Sequence, residues 1–266
     1  MESISTWMTS YSDTFIVSLY LSTYFVGLYK TAMVTVNQIM GLIVAATSGP
    51  LFVALTRVKN DKDLLGQTYN NYMQAVAVFV FPLSVGIWEY RTLLTTVLLG
   101  NQWLEASDFI GLWGLLSSIA LVLGTYTNGL YNAVGKTFLS FMVSLLNIAV
   151  MIPLLVWSAP RGFEDLYVSR SLLRVVFVVI QLLTMKIALG YNIIVFLKQL
   201  VPPIVATLIM WGSSFLLKLV SPSITWQICT ILISIVVYFT TYKALFKSTL
   251  TRSFTTLGIP IKVKFV

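Results

Sequence analysis

The stretch 137–157 reads TFLSFMVSLLNIAVMIPLLVW: 21 residues without a charge, preceded by Lys136 and followed at a distance by Arg161. A helix rises ~1.5 Å per residue and a bilayer core is ~30 Å thick, so about 20 apolar residues span it. Working outward, the same criterion gives about eight candidate spans. They lie near Ile4–Ser22, Lys30–Thr56, Gly66–Trp88, Ser107–Tyr131, Lys136–Trp157, Asp165–Leu189, Lys198–Leu219 and Ser223–Leu245. No run of strict alternation marks barrel strands. The expected fold is an all-α polytopic membrane bundle of about eight transmembrane helices.

Composition agrees. Of 266 residues, 58% are hydrophobic and only 10% charged, and the mean hydropathy is +0.88. A soluble domain carries roughly 25% charge to coat its surface, so a soluble globular protein is excluded. The sequence has no His, which removes His-ligated metals, a His general base and a Ser-His-Asp triad. Cys229 is its single cysteine, so an internal disulfide is impossible. No cofactor, metal or enzymatic role is expected. The net charge of +8 does not point to nucleic acid, because the 17 Lys and Arg are scattered between apolar runs.

The basic residues orient the chain. With the N-terminus cytoplasmic, inner loops and tail hold Arg57, Lys59, Lys62, Lys136, Lys186, Lys198, Lys243, Lys247, Arg252, Lys262 and Lys264. Outer loops hold Lys30, Arg91, Arg161 and Lys218. This bias places both termini in the cytoplasm and predicts a multi-pass protein of the cytoplasmic membrane. Glu2 and the absence of an early basic region argue against a cleavable leader, so the first apolar stretch is expected to stay as a helix. The longest connection, Glu89–Ala106 (EYRTLLTTVLLGNQWLEA), reads as a segment lying in the outer interface.

Polar residues inside apolar spans mark helix contacts or a transport path. Asp13 falls mid-membrane if the first helix ends near Ser22; a helix shifted toward Tyr29 would leave it an interfacial charge. Arg170 and Arg174 share a helical face and could hold a phosphate group, or they could snorkel to the outer surface. Among the carboxamides, Asn37, Gln38, Asn128, Asn132 and Asn147 are candidates for hydroxyl contacts in a sugar-accepting cavity, as against helix-packing contacts. Gly49-Pro50, Pro82, Gly86, Pro153 and Pro202-Pro203 predict kinks. Gly135-Lys136-Thr137 lacks the upstream glycines of a phosphate loop. The acidic pairs Asp61/Asp63 and Glu164/Asp165 read as solvated turns.

Several ordered motifs resemble a known family. Asp13-Thr14-Phe15-Ile16-Val17 followed by Val26-Gly27-Leu28-Tyr29 looks like an Asp-bearing helix leading through a Val-Gly-x-Tyr elbow. Pro50-Leu51-Phe52 through Arg57 and Asp61, then Phe81-Pro82-Leu83-Ser84-Val85-Gly86, continue the likeness. Leu99-Gly100-x-x-Trp103-x-x-Ala106 and Asn132-Ala133-x-Gly135-Lys136, followed by Asn147, complete it. From about Ser12 to Pro153 the chain resembles the C-terminal lobe of bacterial polysaccharide flippases, within the multidrug/oligosaccharidyl-lipid/polysaccharide exporter superfamily.

The resemblance implies translocation of undecaprenyl-pyrophosphate-linked oligosaccharide units for O-antigen, capsule or exopolysaccharide, with membrane lipids around the protein. It implies a six-helix bundle over 1–190, two trailing helices over 191–246 and a basic cytoplasmic tail over 247–266. The first lobe of that family is not in this chain, so a missing N-terminal lobe or a second chain is expected as a partner. Asp13 sits in a matching motif; Arg170 and Arg174 come from the physical reading alone. Alternatives are a drug exporter, a peptidoglycan-precursor flippase, a scaffold subunit, or a membrane-embedded polymerase or transferase, the last disfavoured by short loops without His.

Overall fold

A computed structural model describes residues 12–221 and 223–256. Every regular element among them is helical. Among the described residues seven segments are long and apolar enough to cross a membrane. Of the first expected span, Ile4–Ser22, residues 4–11 lie outside the described residues; the rest forms helix α1 over 12–20 and the break that follows it.

Helix α2 (Thr23–Arg57) follows after a break at Leu21–Ser22. Its start corrects two expectations. The expected span begins at Lys30, the first basic residue, but Tyr24 through Tyr29 are already helical. Val26-Gly27-Leu28-Tyr29 is therefore helix rather than elbow, and the turn is made by Ser22 with extended backbone. Lys30 leaves the outer loop and becomes a side chain about two turns inside a membrane helix.

The remaining elements run in simple order. Helix α3 (Lys62–Glu89) is capped by Asp61, whose carboxylate accepts from the Asp63 and Leu64 amides at 3.0 Å. The interfacial stretch folds as α4 (Arg91–Leu98) and a 3-10 turn (Asn101–Ala106). The next crossing is broken: α5 (Ser107–Ala120), a π turn (Leu121–Thr125) and α6 (Thr127–Ala133). Then come α7 (Thr137–Ser158), α8 (Phe163–Leu189), short α9 (Ile193–Gln199), α10 (Val201–Lys218) and α11 (Ile224–Thr256). Pro202 and Pro203 open α10 where their missing N–H groups cost nothing. Phe246 leaves helical geometry one residue past the expected end at Leu245, and the helix resumes to Thr256.

Two crossings form the centre. The most apolar windows of α3 and of the α5–α6 crossing are 61% and 67% buried, against 17–28% for the other five. Lipid gives helices no hydrophobic reason to associate, so close packing and polar contacts must hold them. Small residues do this on α5: a methyl at Gly114 would stand 2.5 Å from Ile87 Cγ2, and one at Gly111 would stand 2.6 Å from Arg91 Cδ.

The trailing pair α10 and α11 packs on α3 through a separate cluster of Val78, Ala206, Met210, Tyr238 and Tyr242. Pro82 has no N–H to give the Val78 carbonyl one turn earlier. Tyr238 Oη donates to that carbonyl at 2.7 Å. At the other end of α3, Glu89 pairs with Lys218 at 3.0 Å and accepts from Trp211 Nε1 at 3.2 Å. Tyr90 hydrogen-bonds Ser214 and Thr230.

Candidate functional site

Helices α1, α2, α7 and α8 surround a cavity of about 430 Å³. Spacing explains the lining. On α8, Arg170, Leu173, Arg174 and Phe177 recur at i, i+3, i+4 and i+7, so they share one face. On α2, Lys30, Asn37 and Gln38 lie two turns apart on the face opposite the buried Tyr29, Ala32 and Val36. Asp13 enters from α1 and Asn147 from the middle of α7. Measured from Phe163 along the helix, Arg170 lies ~10 Å deep and Arg174 ~16 Å deep.

A charged network fills one wall. Asp13 is 1% exposed and accepts from Arg170 Nη2 at 3.2 Å. It also accepts from Thr14 Oγ1 at 3.1 Å and Tyr29 Oη at 3.5 Å. Lys30 Nζ donates to Thr14 Oγ1 at 3.3 Å. Asp13 is thus a paired carboxylate at depth, and Arg170 turns inward rather than out to the surface.

Arg174 is arranged differently. It makes no ion pair among the described residues, and its Nε is buried without a hydrogen-bond partner. Arg170 Nε is likewise unpartnered. Both guanidiniums lie over the ring of Trp113, at 5.0 Å for Arg170 and 4.2 Å for Arg174. The indole donates Nε1 to Asn37 Oδ1 at 3.3 Å. Trp113 therefore supports two cations on its face and orients a carboxamide with its edge. The cavity carries three cations, Lys30, Arg170 and Arg174, against one carboxylate, Asp13. Excess positive charge with unused guanidinium donors at membrane depth suits an anionic, phosphate-bearing ligand. Asn37, Gln38 and Asn147 add neutral donors and acceptors toward the open side.

Six of the eight candidates from the sequence, Asp13, Asn37, Gln38, Asn147, Arg170 and Arg174, line this cavity. Asn128 and Asn132 do not. Asn128 Oδ1 accepts from Gln181 Nε2 at 3.2 Å, joining α6 to α8. Asn132 Oδ1 accepts from Ser140 Oγ at 3.4 Å, joining α6 to α7. Both carboxamides therefore serve as helix-packing contacts rather than cavity contacts. Sequence reasoning missed Tyr29, Lys30 and Trp113. No group of three or more Asp, Glu, His or Cys able to hold a metal occurs among the described residues.

Comparison with known proteins adds one finding. Residues 1–108 match the model of a family described as polysaccharide biosynthesis protein. The matched part covers α1 to the start of α5 and includes Asp13, Lys30, Asn37 and Gln38, one wall of the cavity. No curated protein and no solved structure matches the chain. The similarity supports a role in polysaccharide synthesis or export for a multi-pass membrane protein.

Proposed function

We propose that this chain moves an undecaprenyl-pyrophosphate-linked oligosaccharide across the cytoplasmic membrane during surface polysaccharide biosynthesis. The observation that carries the reading is the cationic cavity at membrane depth, with guanidinium donors left over after Asp13 is paired. In this mechanism Arg174 and Arg170 bind the pyrophosphate, and Asn37, Gln38 and Asn147 bind sugar hydroxyls. The polyprenyl tail stays in lipid. Alternating access needs a second bundle rocking against this one, so a second helical lobe, in the same polypeptide or another, closes the open side of the cavity. Both termini face the cytoplasm. With Lys30 inside α2, Arg91, Arg161 and Lys218 remain as the outer basic residues, which strengthens that orientation.

A cationic drug fits this site poorly, because it would meet three like charges. A peptidoglycan precursor carries the same pyrophosphate; the match to polysaccharide biosynthesis proteins favours the oligosaccharide. The test is depletion of the chain from its host, followed by measurement of lipid-linked repeat units and surface polysaccharide. Depletion should trap repeat units on the inner leaflet, shielded from an external lectin, and reduce surface polymer. Unchanged surface polymer with no trapped pool overturns the reading.

A further inference from the structure

A second pocket, of about 770 Å³, sits at the end of the bundle where α2, α6 and α8 finish. It shares no lining residue with the central cavity. Lys59, Lys62 and Lys136 all face it, and Asp63 is the sole acidic residue of its lining. We propose that this pocket binds the phosphate headgroup of an anionic phospholipid, with the acyl chains lying along α9.

Backbone geometry builds the basic wall. Gly135 (φ +77°) and Gly190 (φ +66°) take left-handed conformations that end α6 and α8. The first turn places Lys136, whose amide bonds the Tyr131 carbonyl at 2.8 Å. Lys136 Nζ donates to the Ala188 carbonyl at 2.7 Å, bridging the two turns and keeping other ammonium donors for a ligand. The second turn plants Tyr191 against α3, where its hydroxyl donates to Asn70 Oδ1 and its ring meets Tyr69 edge-on. Burial pushes the Tyr191 phenol pKa up, so it stays a neutral donor. Lys59 and Lys62 approach from the α2–α3 turn. Three ammonium groups around one cavity give it a net positive charge and rotatable donors suited to phosphate oxygens.

The surroundings favour a lipid over a free ion. Leu130, Val134, Leu189 and Val195 line the same pocket as the lysines. Helix α9, which reaches the pocket through Val195, holds Ile194 68% and Leu197 42% exposed, an apolar surface beside the charges. A free phosphate has no use for that surface; a phospholipid uses both. Basic pockets between helices on the cytoplasmic side are suited to anionic headgroups.

The full chain in nanodiscs of mixed phosphatidylglycerol and phosphatidylcholine, read by native mass spectrometry, tests this. The unaltered protein should retain a phosphatidylglycerol adduct. Lys59→Gln/Lys62→Gln should lose it at least about fivefold, whereas Lys243→Gln/Lys247→Gln, on α11 outside the pocket, should keep it. Lys136 is spared because it ties two turns together, and gel filtration checks that the variants stay folded. Equal loss in both pairs would mean general surface attraction and overturn the site, as would no preference for phosphatidylglycerol. Stabilisation of detergent-solubilised protein by inorganic phosphate, lost in Lys59→Gln/Lys62→Gln, with no lipid adduct, would make it a free-ion site and overturn the lipid assignment.

Discussion

Two faces of the bundle bury polar groups at membrane depth and use them in opposite ways. Between α3, α10 and α11, Glu89 holds Lys218, and Tyr238 supplies the donor that Pro82 removed. The unpartnered atoms there are neutral hydroxyls, Thr207 Oγ1 and Tyr242 Oη. Around the cavity of α1, α2, α7 and α8, one arginine is matched to Asp13 and the next is not. A buried pair that closes on itself is structure; a cation left over beside an open cavity is kept for something that arrives. The contrast separates residues whose loss should unfold the protein from residues whose loss should silence it.

The largest effect on stability is expected at the pair itself. Arg170→Ala strands Asp13, 1% exposed, beside Tyr29 and Trp113. Breaking one side of a buried ion pair costs about 3–5 kcal/mol, so unfolding in detergent should shift by that amount. Asp13→Asn combined with Arg170→Gln should recover most of the loss; no recovery would show that Arg170 acts through Trp113 rather than Asp13. On the other face, Tyr238→Phe leaves the Val78 carbonyl unpaired in a dry contact. A stranded buried acceptor costs about 1–3 kcal/mol, and polysaccharide export should survive at permissive temperature. An export defect without a stability loss would erase the distinction between the faces.

The legibility of the two faces also differs. Long uncharged runs such as 137–157 have one solution in lipid, so the spans could be read from the sequence. Asp13 stood out because a carboxylate at depth is costly, and Arg170 with Arg174 because their spacing of four sets a shared face. Trp113 gave no such signal: an aromatic in an apolar span is ordinary, and its role depends on α8 crossing over it. Lys30 was misplaced because a basic residue beside an apolar run reads as a helix boundary, whereas here Thr14 and the cavity receive its ammonium. Asn128 and Asn132 failed because a carboxamide in an apolar span reads the same whether it packs helices or lines a cavity, and the contacts that decide it come from α7 and α8. The Tyr238–Val78 bond is a consequence of Pro82 in retrospect, yet nothing local in the sequence names the residue that repairs it.

The smallest effect on stability is expected at Arg174, and it is the most discriminating. Its guanidinium gains a cation–π contact with Trp113, worth up to about 2 kcal/mol when desolvated. Against that stand the unpartnered buried Nε, at about 1–3 kcal/mol, and repulsion from Arg170 one turn away. Arg174→Gln removes all of these together, so the unfolding free energy should move by less than about 1 kcal/mol in either direction. Transport should respond differently. A charge-assisted bond to a phosphate oxygen is worth about 1.5–3 kcal/mol, so its loss should cut export roughly ten- to a hundredfold. Side-by-side measurement of denaturation and of surface polymer in one variant decides the matter. If Arg174→Gln unfolds the protein as Arg170→Ala does, the second arginine is as structural as the first. If it leaves both stability and export unchanged, the unpaired charge has no ligand, and the two faces differ only in how loosely they are packed.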